Sequence, residues 1–192
     1  MSNTIVAATG NAHKLKEIRA ILRGWNILSQ AEAGFFGEVE ETGSTFMENA
    51  LLKARAVCGA LALPALADDS GLCMPALGGA PGVFSARYSG GGDAENRKLL
   101  LKNLQGSASR EAYFSCAVAL VFPDGRTVTA EGRTHGSILA EERGKNGFGY
   151  DSLFFSDDLK KSFGEAGEDE KNGVSHRGRA LSCLAEKLRE TV

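Results

Sequence analysis

The apolar stretch Leu61-Ala62-Leu63-Pro64-Ala65-Leu66 leads directly into Ala67-Asp68-Asp69-Ser70-Gly71. A short apolar run of this kind reads as a strand, and consecutive side chains of a strand point to opposite faces. If one aspartate faces a functional cavity, its neighbour faces away, so the pair divides into one functional and one supporting carboxylate. The sequence alone favours neither. Adjacent carboxylates followed by a small hydroxyl and a glycine make a compact site for a hard divalent cation and an activated water.

Around this strand the remaining elements follow from periodicity. Ile5 to Ala8 is a short first strand ending at Thr9-Gly10-Asn11. Leu15, Ile18, Ile21 and Leu22 recur on one face, which predicts a helix over His13–Leu22 with Asn11 as its cap. Gly43-Ser44-Thr45 leads into a second helix from Phe46 to about Leu61. Its buried stripe is Phe46, Ala50, Ala54, Val57 and Leu61, and Lys53 falls outside it. The order strand, helix, helix, strand favours an α/β protein. Pro75 to Gly92, rich in Gly and Pro, is expected as an ordered loop. Asp93 is expected to cap a helix carrying Leu99, Leu100 and Leu104. Phe114 to Phe122 reads as a buried strand that turns at Asp124-Gly125 into a partner around Thr127 to Glu131, continued by Gly132 to Ile138. The last helix begins near Arg177, with Leu181, Leu184, Ala185 and Leu188 on one side.

The 192 residues suffice for a sizeable core, and with no linker dividing 1–192 the chain is compatible with either one domain or two intimately packed lobes. With 22 basic and 24 acidic residues the formal charge is −2, which gives no support to a nucleic-acid surface but leaves room for a local basic pocket for a polyphosphate. Met1-Ser2-Asn3-Thr4 has neither the basic start nor the long apolar run of a signal peptide, and no segment approaches membrane-spanning length. Cys58, Cys73, Cys116 and Cys183 lie in apolar surroundings without CxxC spacing. They are expected as buried free thiols, which fits a cytoplasmic location and no membrane partner.

Several short patterns carry chemistry beside an ordinary structural reading. Thr9-Gly10-Asn11-Ala12-His13-Lys14 sits at a strand end and a helix N-terminus, where amides receive phosphate oxygens and Lys14 adds a mobile positive charge. It lacks P-loop spacing, and by itself it reads first as an ordinary capped turn. Glu38, Glu40 and Glu41 form a solvated turn, or one of them completes an oxygen-rich magnesium site with Asp69. Lys53 is either a surface lysine or a charge beside a magnesium-bound triphosphate, and Ser70 either caps a turn or meets a phosphate or ribose oxygen. In Gly147-Phe148-Gly149-Tyr150-Asp151, Phe148 can stack on a base while Asp151 or nearby backbone groups read its edge; the alternative is a core turn. Lys171, His176 and Arg177 supply further donors near a helix start. GxGxxG is absent from the first turn, the histidines lack zinc spacing, and no cysteine sits in a polar motif suited to a nucleophile.

Taken together, TGNAHK at Thr9–Lys14, EETGSTFMENALLKA at Glu40–Ala54, ALADDSGL at Ala65–Leu72, LGGAPGVFSARYSG at Leu77–Gly90, GFGYD at Gly147–Asp151 and KNGVSHRGRAL at Lys171–Leu181 resemble the Ham1-like family of non-canonical purine nucleoside triphosphate pyrophosphatases. The signatures are ordered and span nearly the whole chain. The resemblance implies hydrolysis of inosine, deoxyinosine and xanthosine triphosphates to the monophosphate and pyrophosphate, with a magnesium requirement and a homodimeric state. It also implies an elongated mixed sheet with flanking helices forming two lobes around a central cleft. Residue by residue, it implies substrate contacts from Thr9, Gly10, Asn11, Ala12, His13 and Lys14. Lys53 would assist at the phosphates and Asp69 would accept a proton. Glu41 and Asp69 would form the metal-side pair, with Glu40 as a substitute. Ser70, Phe148, Gly149, Tyr150, Asp151, Lys171, His176 and Arg177 would meet the nucleotide. The chain departs from the family's pattern at Ser152, where a proline is frequent, and at Ser162-Phe163-Gly164-Glu165.

Overall fold

Alternation along three central strands organises the molecule. The structure, a computed structural model, describes residues 3–190; the outermost two positions at each end of the expected 1–192 domain lie outside the described residues. Its elements are β1 (Thr4–Ala7), α1 (Ala12–Ile21), β2 (Asn26–Ser29), α2 (Phe46–Leu61), β3 (Ala65–Cys73), α3 (Asp93–Asn103), β4 (Glu111–Val121), β5 (Thr127–Ile138), β6 (Phe154–Ser156), α4 (Glu168–Val174) and α5 (His176–Glu190), with 3₁₀ turns at Pro75–Leu77 and Gly82–Arg87. The strands form one sheet in the order β2-β1-β3-β4-β5-β6. β1 runs parallel to β2 and β3, whereas β6 is antiparallel to β5, so the sheet is mixed and the fold is α/β with flanking helices. Two compact units divide the chain. One holds the described residues up to Asp69, Cys116–Gly132 and those from Arg177 on; the other holds Ser70–Ser115 and Arg133–His176.

In the first unit the period of two sorts side chains onto two faces of the sheet. Ile5, Ala7, Leu66, Val118 and Leu120 join Ile18 of α1 and Leu181, Leu184 and Leu188 of α5 in one cluster. Their alternates Val6, Ala65, Ala67, Ala119 and Val121 pack with Ala50, Ala54, Val57 and Cys58 of α2 in another. Asp68 and Asp69 inherit this division: Asp68 shares the side of Leu66, and Asp69 shares the side of Ala65 and Ala67. In the second unit Leu72, Leu100, Leu104, Ile138 and Leu153 surround three phenylalanines. Phe154 lies 4.7 Å from Phe114 and 5.0 Å from Phe163, centroid to centroid.

The sequence expectations for α1, α2, β4, β5 and α5 agree with these boundaries to within a few residues. β2, β6 and α4 were not foreseen. At four, three and seven residues they are too short to display a period. β3 runs on past the two aspartates through Ser70-Gly71 to Cys73. Asp93 is a second correction: Gly92 holds the cap position, and Asp93 is the first helical residue. All four cysteines are free, three of them buried and Cys183 half-buried. Among the described residues no helix is long and apolar enough to cross a membrane.

The start of α2 is set by a capping box. Thr45 Oγ1 accepts from the Glu48 N–H at 3.2 Å, and Glu48 Oε2 accepts from the N–H groups of Thr45 at 3.0 Å and Ser44 at 2.7 Å. Together these bonds satisfy amides that the first turn would otherwise leave open. Thr45→Ala removes the hydroxyl acceptor and should lower stability by about 1 kcal/mol. Urea unfolding checks this: the midpoint falls while the slope with denaturant stays unchanged.

Candidate functional site

Asp68 and Asp69 leave β3 on opposite faces and meet different helices. Asp68 Oδ2 accepts from Arg177 Nε at 3.1 Å and Nη2 at 3.0 Å, and lies 3.1 Å from Lys14 Nζ. A further Arg177 nitrogen, Nη1, donates to Glu17 of α1. Arg177 is only 1% exposed. On the other face Asp69 Oδ2 accepts from Asn49 Nδ2 at 3.0 Å, and Asp69 Oδ1 lies 3.5 Å from Lys53 Nζ. Lys53 also donates to Glu41 Oε1 at 2.7 Å and to the Asp68 carbonyl at 2.8 Å. The carboxylates of Glu41 and Asp69 therefore converge on one ammonium, whereas Glu40 is exposed.

These surroundings move the two aspartates apart in proton affinity. Burial pushes Asp68 up, but the charges of Lys14, Arg177 and Lys53 outweigh it and hold the carboxyl well below the usual range. For Asp69 burial dominates and lifts the carboxyl above its ordinary value, against the charges of Lys53 and Lys14 and with Glu41 adding to the rise. Burial works against the Lys53 ammonium, yet Asp69, Asp68 and Glu41 outweigh it and raise its proton affinity. Asp68 is thus the carboxylate of lower proton affinity and Asp69 the one of higher.

The Thr9–Lys14 turn takes the expected place between β1 and α1. Asn11 caps α1, its Oδ1 accepting from the N–H groups of His13 at 2.9 Å and Lys14 at 3.2 Å. Thr9 Oγ1 accepts from the Asn11 N–H at 3.1 Å. Gly10, Asn11, Ala12 and His13 are exposed. Lys14 differs from expectation, because its ammonium is tied to the buried Asp68 and is not a mobile charge. Asn49 was missed by sequence reasoning. The available signal was its spacing of four from Lys53, which sets both on one helix face. Gly43 serves the same group: its N–H donates to Asn49 Oδ1 at 2.8 Å, and a Cβ there would come within 2.6 Å of that oxygen.

In the second unit, Phe148, Asp151 and Lys171 form a compact cluster. Asp151 Oδ2 accepts from the Phe148 N–H at 2.9 Å and from Lys171 Nζ at 2.7 Å. That ammonium sits 4.9 Å from the centroid of the half-buried Phe148 ring, within cation–π range. Gly147 has φ +73°, and a Cβ on it would overlap the Asp151 carboxylate, so the turn requires glycine on both counts. The amides of Phe148, Gly149 and Asp151 are all taken, by Asp151, Asp93 and the Phe148 carbonyl respectively. Base reading by these three amides, one of the sequence alternatives, is therefore unsupported. Tyr150 is buried and donates its hydroxyl to the Ser85 carbonyl at 2.9 Å, with burial raising its pKa. His176 is buried and stacks on Phe114 with centroids 4.7 Å apart. Ser70 is half-buried on β3.

A model of the Ham1 family matches residues 5–187. The chain belongs to the Ham1 family. It is 50% identical to a dITP/XTP pyrophosphatase of Haemophilus influenzae, over 98% of this chain and the full length of that protein. It is also 50% identical to a dITP/XTP pyrophosphatase of Desulfotalea psychrophila, over 93% of this chain and 82% of that protein. Among solved structures, the Staphylococcus aureus Ham1 protein superposes with a TM-score of 0.89 at 37% identity, covering 98% of this chain and all of that one. A Ham1 protein from Coxiella burnetii gives 0.88 at 42% identity, over 99% and 100% of the two chains.

No group of three or more His, Cys, Asp or Glu side chains suited to a metal ion occurs among the described residues. The Glu41–Asp69 pair is a two-carboxylate set of hard oxygens, which suits Mg²⁺ because that ion keeps waters and substrate phosphates as its other ligands. The buried Asp68–Arg177 pair has a different role, fixing β3 against α1 and α5. Replacing Asp68 by Asn strands a buried guanidinium and should cost about 3–5 kcal/mol. The folded pKa of Asp68 lies below its unfolded value of about 3.9, so its stabilising contribution is complete above that pH and is lost as pH falls towards the folded pKa. Urea midpoints across an acid series should show this decline in the wild type and a flatter one in Asp68→Asn.

Proposed function

We infer that this chain hydrolyses non-canonical purine nucleoside triphosphates, dITP, ITP and XTP, to the monophosphate and pyrophosphate. The observation that carries the reading is the convergence of Glu41 and Asp69 on Lys53, with Asp69 held at raised proton affinity. Relatives named dITP/XTP pyrophosphatase at 50% identity support it. Asp69 orients a water and takes its proton as the water oxygen bonds to the α-phosphorus. The bond from that phosphorus to the bridging oxygen breaks, and pyrophosphate leaves with the electron pair. A carboxyl whose proton affinity burial has raised suits this task at neutral pH better than an ordinary one. Asn49 holds one Asp69 oxygen, leaving Oδ1 on the Lys53 side.

Lys53 offsets phosphate charge from a fixed position, and the exposed Thr9–Lys14 turn contributes the dipole of the α1 N-terminus. Glu41 and Asp69 are the residues to hold Mg²⁺, which when bound neutralises phosphate charge. Phe148 supplies a face for the base, while Asp151, Lys171 and His176 supply directional groups. A 6-oxo purine accepts from a donor that adenine's amino group leaves unpaired. Arg177 acts through Asp68. Free buried thiols support a reducing, cytoplasmic setting.

Purified protein with Mg²⁺ and XTP or dITP should release pyrophosphate and the monophosphate, and chelation should stop it. Diphosphate plus orthophosphate would rule out the proposed cleavage. Asp69→Asn keeps the shape and should lower kcat by about 10²–10⁴-fold. In the wild type, kcat/KM for ITP and XTP should exceed that for ATP and GTP by about 10- to 1000-fold, or about 1.4–4.1 kcal/mol.

A homodimer belongs to the same reading. The Gly78–Gly92 segment is a candidate contributor to the contact, with an ordinary monomeric loop as its alternative, and Phe84, 58% exposed, lies within it. Light scattering over a concentration series should return twice the mass of the chain. A persistent monomer mass under assay conditions would reject it.

A further inference from the structure

Gly149 is clamped on both sides of its backbone by α3. Its N–H donates to Asp93 Oδ2 at 2.8 Å, and its carbonyl accepts from Arg97 Nη1 at 2.8 Å. Asp93 and Arg97 are four residues apart and so share one helix face. Behind them, Arg97 Nε lies 3.0 Å from Glu142 Oε1, while Glu142 Oε2 accepts from Ser152 Oγ at 2.9 Å. The segment from Phe148 to Ser152 is thereby tied to α3 directly at Gly149 and through Glu142 at Ser152. α3 itself is seated in the core by Leu100.

We propose that Asp93 and Arg97 are positioning residues that set the base-binding face of Phe148 and the Asp151–Lys171 pair, and so determine base specificity. This rests on the assignment of Phe148 to the base. Gly149 sits at φ +60° between Phe148 and the Asp151 turn, so rotation there re-aims both neighbours. Fixing its N–H and C=O together removes that freedom. A purely stabilising role is a poor account of the clamp. Asp93 and Glu142 are exposed, and ion pairs in such settings add little to stability. The same two bonds cost much more when lost from a recognition site, because the ordering they supply must then come from binding.

The test compares wild type, Asp93→Ala, Arg97→Met and Asp93→Asn by steady-state pyrophosphate release from XTP, dITP and ATP with Mg²⁺, alongside thermal unfolding. Asp93→Ala and Arg97→Met should each raise KM for XTP and dITP by about 5- to 30-fold with kcat nearly unchanged, the mark of lost uniform binding. Preference for XTP over ATP should fall with it. Asp93→Asn should restore wild-type KM, since its amide oxygen accepts the same Gly149 N–H. Unchanged KM and preference in both Asp93→Ala and Arg97→Met overturn the proposal. So does an equal loss of kcat on all three substrates, or a loss of cooperative unfolding, either of which makes the residues merely structural. A wild type that releases no pyrophosphate from XTP or dITP instead sinks the functional reading, which separates the two failures.

Discussion

The buried bond between Asp68 and Arg177 is the constraint on which the first unit depends. It brings together the Asp68 carboxylate of β3 and the first turn of α5, and Arg177 in turn engages Glu17 of α1. Removing two charges from water is expensive, and only mutual attraction with filled hydrogen-bonding positions offsets it. Arg177 meets that condition with bonds to two carboxylates, and Lys14 adds a second cation to Asp68. Such an arrangement adds little net stability over an apolar substitute of the same shape. What it adds is geometry: a one-residue slip of β3 would turn Asp68 away from Arg177 and towards the α2 face.

The consequence for Asp69 is chemical. With the neighbouring charge neutralised on the opposite face, Asp69 meets α2, where Asn49 and Lys53 stand one turn apart. Lys53 does not neutralise it fully, because Glu41 shares the same ammonium. Burial of Asp69 outweighs the attraction of that shared ammonium, and the half-buried Glu41 beside it adds to the rise, so the proton affinity of Asp69 is raised instead of lowered. Adjacent and chemically identical side chains thus end with opposite shifts, and the period of two in a strand is sufficient to produce the difference.

Much of this was legible in the sequence. The Asp68-Asp69 alternation, the start of α2 after Gly43-Ser44-Thr45 and the Leu181–Leu188 stripe each rest on a local period or cap, and local physics decides them. Which aspartate gains and which loses proton affinity was not legible. It depends on Arg177, 109 residues away in the chain, and no local pattern encodes that contact. The short β2 and β6 escaped for the same reason, since four and three residues gain their pairing from neighbouring strands and not from their own pattern. Lys53 illustrates a middle case. Its position off the apolar stripe was correct, but a lysine off the stripe is solvated unless something specific calls it inward, and here Glu41 and Asp69 do.

The second unit applies the same logic to a turn. GFGYD was read as either a core turn or a base platform, and its residues differ in exposure. Tyr150 is core, its hydroxyl satisfied by Ser85, whereas Phe148 remains half-buried beside the Lys171 ammonium. A turn that alternates buried and open residues must be held by its backbone, because its side chains cannot all anchor it. Gly147 makes room for the Asp151 carboxylate, that carboxylate takes the Phe148 amide, and α3 takes both polar groups of Gly149. Even the serine found where the family often has proline is bound, through Glu142, so hydrogen bonding supplies part of the restraint that a ring would impose. A restraint built from side chains on a neighbouring helix has a property the ring lacks. It can be weakened one bond at a time, without disturbing the aromatic face that it orients.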